Sequence, residues 1–184
     1  MAQSWRVRNG RPRKPRPPLD QEGLERLALF YAGRYATTRA KLKAYLARKI
    51  QERGWDGEAA ADFDTLIERF AGYGYVDDAA FAASRTSSLL RRGYGGRRVD
   101  EALRAAGIGE EDSAEAKEQA RDGALAAALR FAERKRIGPY AATPLTPEAR
   151  QKAFGAMMRA GHPPDLVRKV LNASSGMVPD SDDG

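Results

Sequence analysis

The stretch Arg91-Arg-Gly-Tyr-Gly-Gly-Arg-Arg-Val-Asp-Glu-Ala-Leu103 reads as the end of one helix, a turn and the start of another. Gly93 stops an apolar stripe that runs back through Leu90, Leu89 and Phe81 to Asp77, a residue suited to cap the helix. Val99, Ala102 and Leu103 open the next stripe at helical spacing, and Gly107 closes it. The unit is a helix–turn–helix.

The same unit recurs on either side. With Thr37, Tyr94 and His162 as equivalent points, Leu42, Val99 and Val167 stand five residues later, and Leu46, Leu103 and Leu171 nine later. Ala32, Leu89 and Met157 stand five residues earlier. The separations are 57 and 68 residues, which leaves room for one linking helix per unit. Such spacing describes a short array whose neighbouring units share a core, although the unequal periods also fit three unrelated helical hairpins. Asp20 is placed to cap a first helix, and Thr37 or Thr38 a second that ends at Gly54. The spacing predicts a third helix capped by Asp56 and ending near Gly72–Gly74, and one long helix over 110–136. Thr146-Pro147-Glu148 opens another helix, and a last one follows Pro163-Pro164.

Composition narrows the function. Apolar residues make up 42% of the chain, much of it alanine, which favours closely packed helices. There is no cysteine and one histidine, His162, so thiolate metal sites and disulfides are excluded and a histidine-built zinc site is not expected. No apolar run approaches a membrane span, which points to a cytoplasmic protein. No phosphate-binding loop or nucleophile elbow is present, so no catalytic, cofactor-binding or metal residues are assigned.

The net charge is +7, but residues 1–18 carry Arg6, Arg8, Arg11, Arg13, Lys14 and Arg16 with no acid, leaving about +1 for the rest. Four prolines within residues 11–18 forbid a helix, so 1–18 reads as a disordered basic arm, either a solvating tail or a contact for nucleic acid. Residues 175–184 read as a disordered acidic tail. Between them the expected boundaries are 19–74, 75–140 and a partial third repeat over 141–174.

Gly74-Tyr-Val-Asp-Asp-Ala-Ala-Phe-Ala82, taken with the Arg91–Leu103 stretch, resembles the central repeat of the RecX family, roughly G-Y-[LIV]-[DN]-D followed by R-G-Y-G-P-x-[RK]-[IV]. Gly96 stands where that family usually has proline. Thr38-Arg-Ala-Lys-Leu-Lys-Ala-Tyr-Leu46 resembles its first repeat, with Lys41 replacing the usual acid. The resemblance covers about residues 20–173 and fades in the long helix. It implies an all-α array of tandem three-helix repeats, elongated and curved. It also implies a monomeric regulator that binds the RecA filament, inhibits or otherwise modulates its recombinase and ATPase activity in DNA repair and the SOS response, and meets DNA non-specifically. The alternative is a helical DNA-binding protein with no RecA partner.

Six cations are the candidate contacts: Arg91, Arg92, Arg97, Arg98, Lys41 and Arg48. Arg97 and Arg98 stand at a helix start, where the dipole disfavours them. Two accounts stand open: pairing with Asp100 or Glu101, or an anion site in which free N–H groups and guanidiniums meet a phosphate or carboxylate. Asp77 reads as a cap with Asp78 adding charge at the same helix start, Tyr75 and Tyr94 as packing staples, and His162 as a packing and capping residue.

Deleting residues 1–18 is expected to leave the thermal transition nearly unchanged. It should flatten the salt dependence of non-specific DNA binding, because phosphate contacts release counterions. A salt slope identical to that of the full chain returns the arm to a solvating role.

Overall fold

The computed structural model describes residues 16–174 and 176–179; residues 1–15, 175 and 180–184, the greater part of both tails read from the sequence, lie outside the described residues. The described chain is helical: α1 (Gln21–Arg34), α2 (Arg39–Arg53), α3 (Phe63–Gly72), α4 (Asp78–Arg91), α5 (Gly96–Ala105), α6 (Glu110–Asp122), α7 (Ala124–Lys135), α8 (Pro147–Arg159) and α9 (Pro164–Asn172), with one 3-10 turn at Gly138–Tyr140. Among the described residues the nearest thing to a sheet is one isolated bridge between Leu19 and Trp55. This is the all-α tandem array expected from the sequence.

Most helix starts follow their caps. The side chains of Asp20, Thr38, Asp77 and Thr146 each accept a backbone N–H of the first turn. Two readings change. Asp62, not Asp56, caps α3, accepting the N–H of Thr65 at 3.0 Å. Asp56 is engaged elsewhere, because its N–H donates to the carbonyl of Leu19 at 2.8 Å and so ties the start of the described chain to the end of α2. The long helix is two helices. Gly123 leaves helical geometry at φ −82° and ψ 2°, and α7 starts after it. Glycine costs about 1 kcal/mol in a helix interior, and here a Cβ would stand 2.9 Å from Leu90 Cδ1. The interhelix contact thus selects the residue that breaks the helix.

Three apolar clusters follow one another along the chain. Leu24, Ala28, Leu42, Leu46, Leu66, Ile67, Phe70 and Val76 form the first. The second gathers Ala82, Leu89, Val99, Leu103, Ala106, Ile108, Ala116 and Ala120. The third gathers Ala128, Phe131, Ala132, Ala153, Met157, Ala160, Val167, Val170 and Leu171. The three equivalent leucines, Leu46, Leu103 and Leu171, are all buried. Helix α7 supplies the third cluster with an alanine-rich face, although the sequence reading places it before the boundary at 140–141. Among the described residues no extensive packing joins α1–α3 to α7–α9, so the units are arranged in series.

The junctions between units share one device. The N-terminus of the second helix of a pair meets a left-handed glycine of the following unit. In the first junction Thr38 Oγ1 donates to the carbonyl of Ala106 at 2.6 Å, and the N–H of Arg39 donates to Asp78 Oδ1 at 2.9 Å. Gly107 (φ +72°) lies so close to α2 that a Cβ there would collide with that of Ala40. In the second junction the N–H groups of Gly95 and Arg97 donate to the carbonyls of Ala160 and Gly161, at 2.9 and 3.2 Å. A Cβ on Gly161 (φ +94°) would stand 2.6 Å from the backbone nitrogen of Arg98. His162 seals this contact: it is buried, its Nε2 pairs with the Gly93 carbonyl at 3.1 Å, and its ring meets Phe131 edge-on. Burial holds its pKa below the ordinary value, opposed by the Gly93 hydrogen bond.

Gly161→Ala is expected to lower stability by about 2–4 kcal/mol, since it adds left-handed strain to a clash with backbone. Gly33→Ala, where a Cβ meets nothing within 4 Å, is expected to be neutral or to raise stability by up to about 1 kcal/mol. Chemical denaturation of the two variants checks the contrast, and a neutral Gly161→Ala would contradict the described junction.

Candidate docking surface

The junction decides which of the six cations are available. Arg97 opens α5, and its guanidinium Nη2 donates to the carbonyl of Met158 in the next unit. Its Nε lies 3.9 Å from Glu101, and Arg98 Nη1 donates to the same carboxylate at 2.7 Å. Both arginines therefore pair with Glu101 rather than Asp100. Three backbone N–H groups of the turn are already used: that of Gly95 by Ala160, that of Arg97 by Gly161, that of Arg98 by Gly95. An anion arriving here meets chiefly guanidiniums, because those helix N–H groups are taken.

Arg92 and Arg98 are brought together. They line a groove of about 290 Å³ with Arg85, Leu89, Tyr94, Glu101 and Ala102. The Arg92 guanidinium lies 5.2 Å from the Tyr94 ring centroid. Tyr94 itself packs against both the second and third apolar clusters, which fixes the ring. Three arginines thus line one groove that holds a single carboxylate, Glu101. Arg85 and Arg92 form no ion pair with any described residue, and a charge so placed is free to meet a partner.

Arg91 is exposed beside the groove but does not line it. Arg134 donates to the carbonyl of Arg92, and Arg130 lies 3.5 Å from that of Leu90. These two α7 cations cap the end of α4 and leave its own arginines turned outward. Lys41 is spoken for differently: its ammonium sits 4.3 Å from the Phe81 ring centroid, across the first junction. Arg48 lies apart on α2, 3.6 Å from Glu52.

Sequence reasoning missed Arg85. The signal was its spacing: it stands seven residues before Arg92, two turns along one face of α4. It also misplaced the role of Asp78, which is buried and accepts the first N–H of α2 from another unit. Burial raises the Asp78 pKa, against the Arg39 hydrogen bond and charge. Tyr75 departs too, being about half exposed and resting on Phe70 rather than closing a helix pair. Among the described residues no group of three or more His, Asp or Glu stands where it could hold a metal ion. No described helix is long and apolar enough to cross a membrane.

A family model described as RecX, second three-helix domain, matches residues 77–116, the span from the cap of α4 into α6. The chain is 31% identical over 172 residues to the regulatory protein RecX of Myxococcus xanthus strain DK1622, covering 89% of this chain and 90% of that one. It is 45% identical over 53 residues to the regulatory protein RecX of Xanthomonas campestris pv. campestris strain B100, covering 29% and 31%. The crystal structure of RecX from Lactobacillus salivarius superposes with a TM-score of 0.59 at 15% identity, covering 81% of this chain and 92% of that one. A second crystal structure, of regulatory protein RecX, superposes at 0.61 with 21% identity, covering 82% and 72%. At those identities the two structures speak for the fold alone.

Arg97→Ala is expected to lower stability by about 1 kcal/mol, because it removes a charged hydrogen bond between units. Arg85→Ala is expected to leave stability within about 0.5 kcal/mol, as it touches no partner. Thermal melts of both variants check this; equal losses would make the groove arginines structural.

Proposed function

The chain belongs to the RecX family of regulatory proteins, and from that premise we propose that it binds the RecA recombinase and its nucleoprotein filament and restrains recombinase and ATPase activity in DNA repair and recombination. The observation that carries this reading is the extent of the match to the Myxococcus xanthus relative, which spans nine-tenths of both chains. The likeness is therefore of the whole array and not of one borrowed module.

The groove of Arg85, Arg92 and Arg98 supports a docking role. Its guanidiniums present forked donors suited to carboxylates or phosphates, the two anionic groups that a protein–DNA filament offers. Arg91 extends the basic edge, while Lys41 and Arg97 serve the junctions and hold the units in register. A serial array acting as a monomer would lie along the filament, with units 19–74, 75–140 and 141–174 as approximate divisions. Its place of action is then the cytoplasm, where RecA meets chromosomal DNA.

The rival reading, a duplex reader with no RecA partner, is less well supported. Helix–turn–helix readers put the N-terminal residues of the second helix against base edges. Here the corresponding ends of α2 and α5 are covered by the next unit, through Asp78 and through Gly161.

The test is RecA ATP turnover on single-stranded DNA, with co-sedimentation of the chain on the filament. The native chain is expected to sediment with filaments and lower turnover. Replacing Arg85, Arg92 and Arg98 with alanine should weaken both effects by at least one to two decades while the fold persists, since even one charge-assisted contact contributes about 1.5–3 kcal/mol. Absence of any effect of the native chain on filaments would overturn the RecA reading. An undiminished effect of the triple variant would move docking to another face.

A further inference from the structure

The second junction also holds a pocket that shares no residue with the basic groove. It has a volume of about 410 Å³ and lies between α5, α6, the start of α7 and the turn that leads from α8 to α9. Ala120, Ala124, Met158, Pro163 and Pro164 give it an apolar wall. A pocket of this size and lining suits a small organic molecule better than a lone ion.

Three polar features stand around that wall. Lys117 and Arg121, one turn apart on α6, bring two positive charges to it. Their partners are Glu110 and Glu118 of the same helix, whose side chains are 90% and 67% exposed. Such exposed pairs contribute little, so a phosphate displaces the carboxylates at small cost. Asp100 of α5 is the one acid in the lining, and Arg97 and Arg98 leave it alone because both pair with Glu101. The third feature is His162. Its Nε2 meets the Gly93 carbonyl, which only accepts, so Nε2 carries the proton. Burial keeps the ring neutral, which leaves Nδ1 a bare acceptor, and Nδ1 has no partner among the described residues. A buried acceptor without a donor is costly. His162 lines the pocket and Gly93 does not, so the unpartnered nitrogen is the one on offer there.

We infer that this pocket is a binding site for an amine-bearing purine nucleoside monophosphate: Lys117 and Arg121 hold the phosphate, Asp100 accepts a ribose hydroxyl, and the base lies on the apolar wall with its exocyclic amine donating to His162 Nδ1. Inorganic phosphate would satisfy the cations and leave the wall bare. An apolar ligand would cover the wall and leave the cations and His162 unmet. A nucleotide joins all three groups in one molecule, and a carboxylate that accepts a ribose hydroxyl is the arrangement of dinucleotide sites on other folds. The bound nucleotide touches α5 and α6 on one side and the α8–α9 turn on the other, so it ties the second unit to the third. The inference does not depend on the RecA reading, and its test contains no RecA.

Isothermal titration of the full chain with adenosine monophosphate measures the site. Purine riboside monophosphate, which lacks the amine, is expected to bind about tenfold more weakly for want of one hydrogen bond to a buried acceptor. In His162→Gln the side-chain amide still has an N–H for Gly93 but the ring acceptor is gone, so the two nucleotides should bind alike. Lys117→Ala/Arg121→Ala removes two side chains that pair only within α6. It should melt as the native chain does and bind adenosine monophosphate at least tenfold more weakly, which decides the matter even if His162→Gln does not fold. Absence of saturable binding to the native chain overturns the site. Inorganic phosphate binding as tightly as adenosine monophosphate also overturns it and leaves a charged surface only. Displacement of the nucleotide by oligodeoxyadenylate would assign the pocket to a strand and overturn the mononucleotide site.

Discussion

The approach of Gly161 to the first turn of α5 is the contact on which the arrangement of the molecule rests. A helix start leaves N–H groups without partners, and burying them unpaired is costly. Here the following unit supplies the acceptors, the carbonyls of Ala160 and Gly161, and a left-handed glycine allows the backbones to touch. The first junction solves the same problem with other atoms: the Asp78 carboxylate takes the first N–H of α2, and Gly107 makes the close approach. The two glycines are not equivalent in the repeat, since Gly107 follows the second helix of its pair and Gly161 the first. What recurs is the physical requirement, not the sequence position.

That requirement sorts the arginines. A cation at a helix start opposes the dipole, yet Arg97 is retained there because its guanidinium reaches across to the Met158 carbonyl. Arg130 and Arg134 sit over the last carbonyls of α4 and fix the end of that helix. With these three committed to packing, Arg85, Arg92 and Arg98 are left along one groove beside a ring that both neighbouring cores hold in place. The basic surface is therefore a consequence of how the units are joined.

The fold was legible because it rests on local signals. The equivalent leucines, the helix-ending glycines and caps such as Asp20, Asp77 and Thr146 are fixed by spacing along the chain. What spacing missed depends on contacts between distant residues. Asp56 has the chemistry of a cap but spends its N–H on Leu19, so the cap falls to Asp62. Gly123 breaks a helix that the apolar pattern continues, at a place where Leu90 of α4 leaves little room for a side chain. Asp78 looked like a charge for its own helix and serves another. For the candidate groove, the sequence reading named Arg92 and Arg98 but not Arg85. Their grouping was not legible, because Arg85 and Arg98 lie on different helices.

Native-state hydrogen exchange at the Gly95 and Arg97 amides tests the account at its centre. Both N–H groups belong to one unit and are protected by carbonyls of the next. If the junction sets the architecture, they exchange as slowly as the amides inside α5 and respond to Gly161→Ala together. Fast exchange at Gly95 and Arg97, with α5 itself protected, would mean that the third unit does not dock there. The assignment of Arg97 to packing and of Arg85, Arg92 and Arg98 to binding would then fall with it.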